Sequence, residues 1–295
     1  MSRGAPKVSV VIPHYQDLAG LALCLDSLER QTFSRDEFEI IVADNVSPAG
    51  EAAVAKVIAG RAKLVVCAER GAGPNRNAGV AATCGEVLAF IDSDCQAEPQ
   101  WLANGLAGLA NFDFIGGRVK VLVDDPAQMT AAEAFEAVFA FDFDTYINKK
   151  GFTGAGNLIC PRKLFDAVGG FSNGVSEDVE WSHRATGKGY RLGYVPDAIV
   201  GHPARRTWAE LKGKWARVNA ETYRLHMQNR RGLVAWLGRC AALPASALVH
   251  TPKVLLSDSL PGVRERVLAI AMLYRLRFWR AFHSTQLALG GAPRP

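Results

Sequence analysis

The sequence predicts an α/β fold in which a mostly parallel central sheet is flanked by helices and followed by a basic helical C-terminal extension. Short runs of apolar, β-branched residues recur in the first third of the chain, and segments with helical periodicity separate them. The runs are apolar throughout, which is typical of strands covered by helices on both faces. The extension is indicated by charge, because residues 1–202 carry 18 Lys and Arg against 25 Asp and Glu, and residues 203–295 carry 16 against 4. We therefore expect a Rossmann-like architecture with a basic tail.

Strands and helices alternate from the start of the chain. The run Val8–Pro13 predicts the first strand, ended by its proline, and Leu21, Leu25 and Leu28 lie on one stripe of a predicted helix. Further strands are predicted at residues 38–43, 63–67 and 86–91, and further helices at residues 52–60, 75–84 and 101–109. In such a sheet, ligands bind beyond the carboxyl ends of the strands.

The middle of the chain predicts a strand at residues 119–123 and one helix at residues 130–146 that is rich in aromatic residues. Two interpretations of these aromatic residues stay open. They can pack in the core, which is the commoner case, or they can line a groove for an acceptor. A further helix is predicted to begin near Glu177.

The C-terminal region predicts amphipathic helices over residues 209–231 and 263–282, with arginines and lysines around their apolar stripes. The apolar stretch between them, Leu233–Val249, is interrupted by Arg239 and Pro244 and is shorter than the roughly 20 residues that span a bilayer. We expect these helices to lie on an anionic membrane surface. A nucleic acid is not the expected partner, because no helix-turn-helix, zinc finger or stacking motif accompanies the basic charge.

The six cysteines are scattered, with no Cys-x-x-Cys pair and no histidine at metal-ligand spacing. Free thiols in a reducing compartment account for them. Residues 1–5 lead straight into the first strand, so no signal peptide is expected. Together these features predict a cytoplasmic location, on the inner face of the cell membrane.

Several polar residues fall where the predicted sheet would bind a ligand. Asp92 and Asp94 follow a strand with one residue between them, and paired carboxylates of this kind suit Mg²⁺ or Mn²⁺. Arg76 lies in the first turn of a helix, where phosphate oxygens are favoured. Asp178 begins another helix, where it can complement the helix dipole or face the cation. His202 ends a later strand, as a structural residue or as a ligand.

Two common nucleotide-binding motifs are excluded. The segment Gly71-Ala72-Gly73 lacks the third glycine of a dinucleotide-binding fingerprint, and no Lys-Ser or Lys-Thr pair completes a phosphate-binding loop.

Five segments in order resemble the inverting family-two glycosyltransferases with the A-type fold. They are VSVVIPHYQD, IVADNVS, GPNRNAGVAATCGEVLAFIDSDC, GAGNLICPRKLFDAVGGF and SEDVEWSHRATGKGYRLGYVPDAIVGH. The resemblance covers about residues 7–206. It implies a catalytic domain over residues 1–206, with a nucleotide-binding half up to about residue 95 and an acceptor-binding half after it. Residues 207–295 then form the basic extension.

The resemblance also implies roles for residues. Asp178 is expected to be the catalytic base, and Asp92, Asp94 and His202 are expected to bind Mn²⁺ or Mg²⁺. The remaining substrate-binding residues are Pro13, Tyr15 and Asp44 on the nucleotide, Arg76 near the diphosphate, Asn157 and Trp181 near the acceptor, and Ser93 and Glu177.

One segment departs from the family pattern. The usual Asp-Asp-Gly-Ser after the second strand is Asp44-Asn45-Val46-Ser47 here. The turn therefore lacks one carboxylate and one glycine of the family pattern.

The implied function is the transfer of a sugar from a nucleoside diphosphate sugar, UDP favoured over GDP, to a hydroxyl of a lipid-linked or polysaccharide acceptor with inversion. Two alternatives remain at this point. One is a nucleotide-sugar-binding or membrane-scaffolding protein without activity, although both the base and the metal pair are present. The other is a sugar nucleotidyltransferase, although the N-terminal segment lacks the glycine-rich, basic signature of that class.

Overall fold

A computed structural model describes residues 6–227, 230 and 232–290. The predictions for residues 1–5 and for Arg231 lie outside the described residues. The chain divides into two compact units, the first formed by Met1–Lys120 and Phe141–His202 and the second by Val121–Ala140 and Pro203–Pro295. Residues 121–140, which the sequence assigned to the catalytic domain, therefore group with the C-terminal helices.

The first unit is built on an eight-stranded sheet with the order β3-β2-β1-β4-β7-β6-β8-β5. The strands are β1 (Val8–His14), β2 (Phe38–Asp44), β3 (Lys63–Val66), β4 (Val87–Ile91), β5 (Gln96–Ala97), β6 (Phe114–Leu122), β7 (Asn157–Pro161) and β8 (Leu192–Pro203). Strands β3, β2, β1 and β4 pair in parallel, whereas β7 pairs antiparallel with β4 and β6, and β5 pairs antiparallel with β8. The sheet is thus mixed, and its parallel part lies within the first 95 residues.

Helices cover this sheet, and the predicted helices of the first half are present with small changes at their ends. The helices of the first unit are α1 (Leu18–Glu29), α2 (Glu51–Ile58), α3 (Ala72–Ala81), α4 (Trp101–Gly108), α6 (Phe143–Lys150), α7 (Arg162–Val168) and α8 (Glu177–Gly187). Leu21, Leu25 and Leu28 of α1 are fully buried, as their spacing predicts. The apolar strands and these stripes form the core that holds the strand ends in place.

The single helix predicted over residues 130–146 is two helices, α5 (Ala131–Phe139) and α6. Thr130 and Glu133 form a capping box that starts α5. The break follows because Phe141 has φ = 58°, outside the helical region, and the Asp142 side chain then accepts a hydrogen bond from the amide of Thr145 to start α6.

The second unit is helical and contains α5, α9 (Trp208–Met227), α10 (Gly232–Leu255) and α11 (Val263–Ala288). Its core joins apolar residues of all four helices. Helix α10 continues through Pro244 and has 24 residues, so it is longer than the apolar stretch of residues 233–249. Among the described residues, α10 is the one helix that is long and apolar enough to cross a membrane, and 28% of its most apolar window is buried.

The basic residues of this unit fall into two groups. Lys212, Arg217, Arg224, Arg264 and Arg275 are exposed. In contrast, Lys214 lies 2.8 Å from Glu136, Arg266 donates to backbone carbonyls at the end of α10 and in the loop that follows it, and Arg280 is 3% exposed. The structure therefore contradicts the expectation that these last three face a membrane.

Candidate active site

The carboxyl ends of the parallel strands form one edge of the sheet. His14 at the end of β1 is level with Asp44 at the end of β2, and Asp92 follows directly after β4. The polar residues that the sequence singles out at these strand ends therefore share one edge.

Asp44 is held inside this edge rather than exposed on it. Its Oδ1 lies 2.7 Å from Nδ1 of His14, and its Oδ2 accepts a hydrogen bond from the amide of Ser47 at 2.9 Å. Burial opposes ionisation of the carboxyl, but the hydrogen bonds from Ser47 and His14 outweigh it and lower its pKa. Asp44 is 1% exposed and orders the turn, and the nucleotide contact expected of it stays a prediction.

Two other residues at this edge were predicted to touch the nucleotide. Pro13 is half-buried in β1, and Tyr15 is 51% exposed just after it. His14 is the residue that sequence reasoning missed. Its signal was present, since the parallel pairing of the two strands places it beside Asp44.

The departure from the family pattern at Val46 has a structural consequence. Val46 has φ = 56° and is 57% exposed. A β-branched residue in this left-handed region is strained, whereas glycine would adopt it freely. The turn after β2 thus keeps the conformation that suits glycine in spite of its valine.

Asp94 and His202 come together because β5 pairs antiparallel with β8. Gln96 is level with Gly201, which brings the residues just before β5 beside His202. Oδ2 of Asp94 lies 3.4 Å from Nε2 of His202. Cys95 completes a cluster whose ligand atoms lie within 4.8 Å of one another.

The donor atoms of this cluster fit a divalent cation. Two ligands that bind one ion at about 2.1 Å lie roughly 3 Å apart, close to the separation of Asp94 and His202. Burial and the charges of Asp94 and Asp92 raise the pKa of the Cys95 thiol well above its ordinary value, so it remains protonated and is a poor ligand. Asp94 and His202 are thus the two residues of the predicted set that converge, and the carboxylate oxygen of Asp94 is the donor that suits Mn²⁺ or Mg²⁺.

Asp92, the third predicted ligand, contacts Arg76 instead. The Nη2 of Arg76 donates to Asp92 Oδ1 at 2.6 Å, and its Nη1 donates to Glu177 Oε1 at 2.5 Å. Arg76 is 5% exposed and lies in the second turn of α3, which begins at Ala72, earlier than predicted; it joins α3 to the end of β4 and the start of α8. The charges of Asp92 and Glu177 outweigh burial and raise the pKa of the guanidinium above its ordinary value. The guanidinium of Arg76 therefore forms buried ion pairs with both carboxylates and does not extend into solvent.

Asp178 follows Glu177 at the start of α8 and faces a glycine loop. A Cβ added to Gly154 would lie 3.6 Å from Oδ2 of Asp178, and one added to Gly156 would lie 2.6 Å from Oδ2 of Asp92. The backbone of residues 154–156, with glycines at 154 and 156, thus lies between the two carboxylates. Burial first, and then the charge of Glu177, raise the pKa of Asp178 to about 6, although Arg76 opposes the shift.

Two residues predicted near the acceptor are internal instead. Asn157 is fully buried and bridges the carbonyls of Arg118 and Ala198 with its amide, while its oxygen accepts from Trp101. Trp181 is also fully buried and donates to the carbonyl of Gly169. The polar atoms of both side chains are used inside the protein, and a contact with the acceptor stays a prediction for them. Ser93 and Glu177 are half-buried and adjoin Asp92 and Asp178 in the chain, and their contact with substrate stays a prediction.

The fold and the site define a glycosyltransferase of the A-type fold. Residues 9–173 match the family model described as Glycosyl transferase family 2. The glycosyltransferase AglE of Haloferax volcanii is 31% identical over 241 residues, which cover 79% of this chain and 78% of that protein. The chain therefore belongs to glycosyl transferase family 2, and it is an enzyme of that class.

Solved structures share the fold. A mannosyltransferase from Pyrobaculum calidifontis in complex with GDP-Man and Mn²⁺ superposes with a TM-score of 0.63 at 18% identity, over 98% of this chain and 87% of that one. Residues 1–349 of TarS from S. aureus, in complex with UDP-GlcNAc, superpose with a TM-score of 0.53 at 18% identity, over 98% of this chain and 93% of that one. The predicted fold class is confirmed.

The bridge formed by Arg76 predicts a large effect on stability. Replacing Arg76 with Met leaves the carboxylates of Asp92 and Glu177 unpaired, so the free energy of unfolding should fall by about 3 kcal/mol or more. Lys120→Met removes an exposed partner of Glu98 and should cost less than about 1 kcal/mol. Denaturant unfolding followed by circular dichroism measures both changes. Equal losses in the two variants would contradict the role assigned to Arg76.

Proposed function

We propose that this enzyme transfers a sugar from a nucleoside diphosphate sugar to an acceptor hydroxyl with inversion, using Asp178 as the base. The observation that carries the proposal is the loop with Gly154 and Gly156, because Asp92 and Asp178 flank the backbone of residues 154–156. Asp94 follows Asp92 by two residues and lies 3.4 Å from His202. The diphosphate of the donor and the proton acceptor Asp178 would then lie close enough together to serve a reaction at one anomeric carbon.

The reaction is a single displacement. Asp178 takes the proton of the acceptor hydroxyl as that oxygen attacks the anomeric carbon, and the bond from that carbon to the diphosphate breaks, with its electron pair leaving on the phosphate oxygen. General-base catalysis of this kind contributes about 10²–10⁴-fold. Asp94 and His202 would hold a divalent cation, which supplies Lewis-acid stabilisation of the leaving diphosphate when bound. Arg76 adds positive charge behind Asp92.

UDP is favoured over GDP as the donor nucleotide in this proposal. Neighbours in fold were solved with GDP-Man and with UDP-GlcNAc, so both classes of donor are tested. The alternative of a sugar nucleotidyltransferase or of an inactive binding or scaffolding protein is less consistent with membership in a transferase family.

The donor and the metal are tested together by nucleotide release. Wild-type protein with Mn²⁺ or Mg²⁺ should release nucleotide from one of a panel of UDP- and GDP-sugars. Asp94→Ala should lose this activity by about 100-fold or more, because it removes one of the two converging ligands. Asp197→Ala, which removes an exposed acid on β8, is the matched control and should retain activity. Release that is unaffected by a chelator would overturn the metal role.

Three measurements test whether Asp178 is the base: kcat, the pH dependence of kcat, and Tm. Asp178→Asn should lower kcat by about 10²–10⁴-fold with little change in donor KM. In wild type, kcat should fall as the pH drops below about 6, where Asp178 takes up a proton.

Stability should change in the opposite direction from activity. The raised pKa means that the folded state favours protonated Asp178, so the ionised group lowers stability above pH 6 and this cost disappears toward pH 4. Asp178→Asn should therefore raise Tm at pH 8 but not at pH 4.

Glu180 provides the matched control on the same helix. Burial opposes its ionisation, but hydrogen bonds from Arg184 and Ser172 lower its pKa. Glu180→Gln should therefore lower Tm at pH 8 and leave kcat nearly unchanged. If Asp178→Asn keeps wild-type kcat, Asp178 is not the base.

We further propose that the acceptor is lipid-linked or a polysaccharide, and that the helical unit holds the enzyme on the inner face of the cell membrane in the cytoplasm. Exposed apolar side chains support this placement. They lie on α10, α11 and the segment between them: Leu233, Val234, Leu237, Leu248, Val249, Leu255, Leu256, Val263, Val267, Phe278 and Phe282. Exposed arginines and lysines accompany them, and each contributes about 1 kcal/mol near anionic lipid.

Flotation with liposomes tests this attachment. Full-length protein should float with anionic vesicles at moderate salt and much less with neutral ones. Val249→Asp and Phe282→Asp should reduce flotation, because they place charge among the exposed apolar side chains. Leu23→Asp, at an apolar residue of α1 that is 52% exposed, should have no effect. Protein that stays in solution with anionic vesicles would contradict the proposal.

A further inference from the structure

Three arginines of the helical unit lie together on two neighbouring helices. Arg277 and Arg280 are three residues apart on α11, and therefore on one side of it. Trp236 of α10 donates to the carbonyl of Ser284 at 2.9 Å, and Arg266 of α11 donates to the carbonyl of Leu255 at 3.1 Å. The two helices thus run antiparallel, and this register places Arg239 of α10 level with Arg280.

The cluster of Arg239, Arg277 and Arg280 contains positive charge without a matching negative charge. Within residues 6–227, 230 and 232–290, none of the three forms an ion pair with a carboxylate. The Nε atoms of Arg239 and Arg277 are buried without a hydrogen-bond partner. Buried charges in proteins are normally paired, so this arrangement calls for an anion.

Arg280 is the innermost member of the cluster. It is 3% exposed, its Nε donates to Oδ1 of Asn219 at 3.1 Å, and its guanidinium lies 3.8 Å from the ring centre of Trp215. These contacts position the group but do not neutralise it. Burial first, and then the charges of Arg239 and Arg277, lower its pKa to about 8.

We propose that Arg239, Arg277 and Arg280 form a binding site for a phosphate group. The planar guanidinium fork matches the oxygens of a phosphate, and several arginines around one phosphate are a common arrangement. Arg239 and Arg277 keep part of their surface exposed, so a ligand can reach the cluster from solvent.

A lipid headgroup or a free phosphate ester could supply this phosphate. Exposed apolar side chains lie on the same two helices, since Phe278 and Phe282 on α11 are 57% and 63% exposed and Leu237 on α10 is 47% exposed. They do not share a helix face with the arginines, because Phe278 is one position from Arg277 and Leu237 is two positions from Arg239. The proposal does not depend on the transferase reaction, because none of these residues belongs to the candidate active site.

Thermal unfolding of the full chain tests the site with inorganic phosphate as the probe, against chloride at the same ionic strength. Phosphate should raise the Tm of wild type in a saturable manner. Arg277→Gln and Arg239→Gln should each weaken the affinity for phosphate by about tenfold or more, since a charge-assisted hydrogen bond is lost. Arg275→Gln, at an exposed arginine on the same helix, should keep the wild-type response.

The direction of the Tm change of Arg277→Gln in chloride buffer distinguishes a phosphate-binding role from a structural one. Without phosphate, Arg277→Gln should have a higher Tm than wild type, because it relieves repulsion among like charges. With phosphate, the order should reverse. If Arg277→Gln and Arg239→Gln both lower Tm equally in the two buffers, the arginines are structural and the proposal is wrong. Arg277→Lys, which keeps the charge but not the planar fork, provides a second variant should the others fail to fold.

Vesicles identify the source of the phosphate. Vesicles of phosphatidylcholine with phosphatidic acid are compared with vesicles of phosphatidylcholine with oleate, matched in surface charge. Binding that favours phosphatidic acid and is lost in Arg277→Gln supports a lipid phosphate. A response to inorganic phosphate without such a preference supports a free phosphate or phosphate ester. If neither probe depends on the three arginines, the proposal is overturned. Nucleotide release by Arg277→Gln should remain normal, which separates this result from a failure of the proposed transferase function.

Discussion

The arrangement of the candidate active site depends on one buried guanidinium. Arg76 can stay in the interior only if carboxylates surround it, and the two that do so come from segments 16 and 101 residues away. Asp92 fixes the end of β4 against it, and Glu177 fixes the start of α8. Asp178 follows Glu177 directly, so the same contact sets the distance of the proposed base from the sheet edge. Positions that are distant in sequence are thereby held together by a single charge.

Much of this site could be predicted from the sequence because the topology of strand ends is simple. Asp92 and Asp94 follow a strand, and parallel strands end at a common edge. The partnership of Asp94 with His202 depends on more, namely the antiparallel pairing of β5 with β8, and a two-residue strand leaves little trace in a sequence. The direction of β6 and β7 was equally hidden, since an apolar run has the same composition in either direction.

The roles of other residues could not be predicted from the sequence, because the same side chain can bind a ligand or form hydrogen bonds inside the protein. An asparagine amide that binds a ligand and one that bridges two strands look alike in sequence. Only the positions of Arg118, Ala198 and Trp101 reveal that Asn157 is a bridge. Asp44 is similar, since its role as an internal acceptor becomes visible only when His14 lies beside it. The turn at Val46 and the helix break at Phe141 could not be predicted either, because both residues adopt positive φ values that neither residue type favours.

The two units share a physical feature, which is charge that the folded chain leaves incompletely compensated. In the first unit, the fold favours the protonated form of Asp178, and in the second, three arginines repel one another. Random substitution and selection for stability alone would remove both features, because replacing either charge with a neutral group should stabilise the chain. A ligand that binds only the folded state can supply the missing stabilisation. A proton acceptor also needs an environment that makes it take up a proton readily, so the instability of ionised Asp178 is itself useful to a base. The arginine cluster has no such reaction to serve, and an anionic ligand is the simplest reason for its persistence.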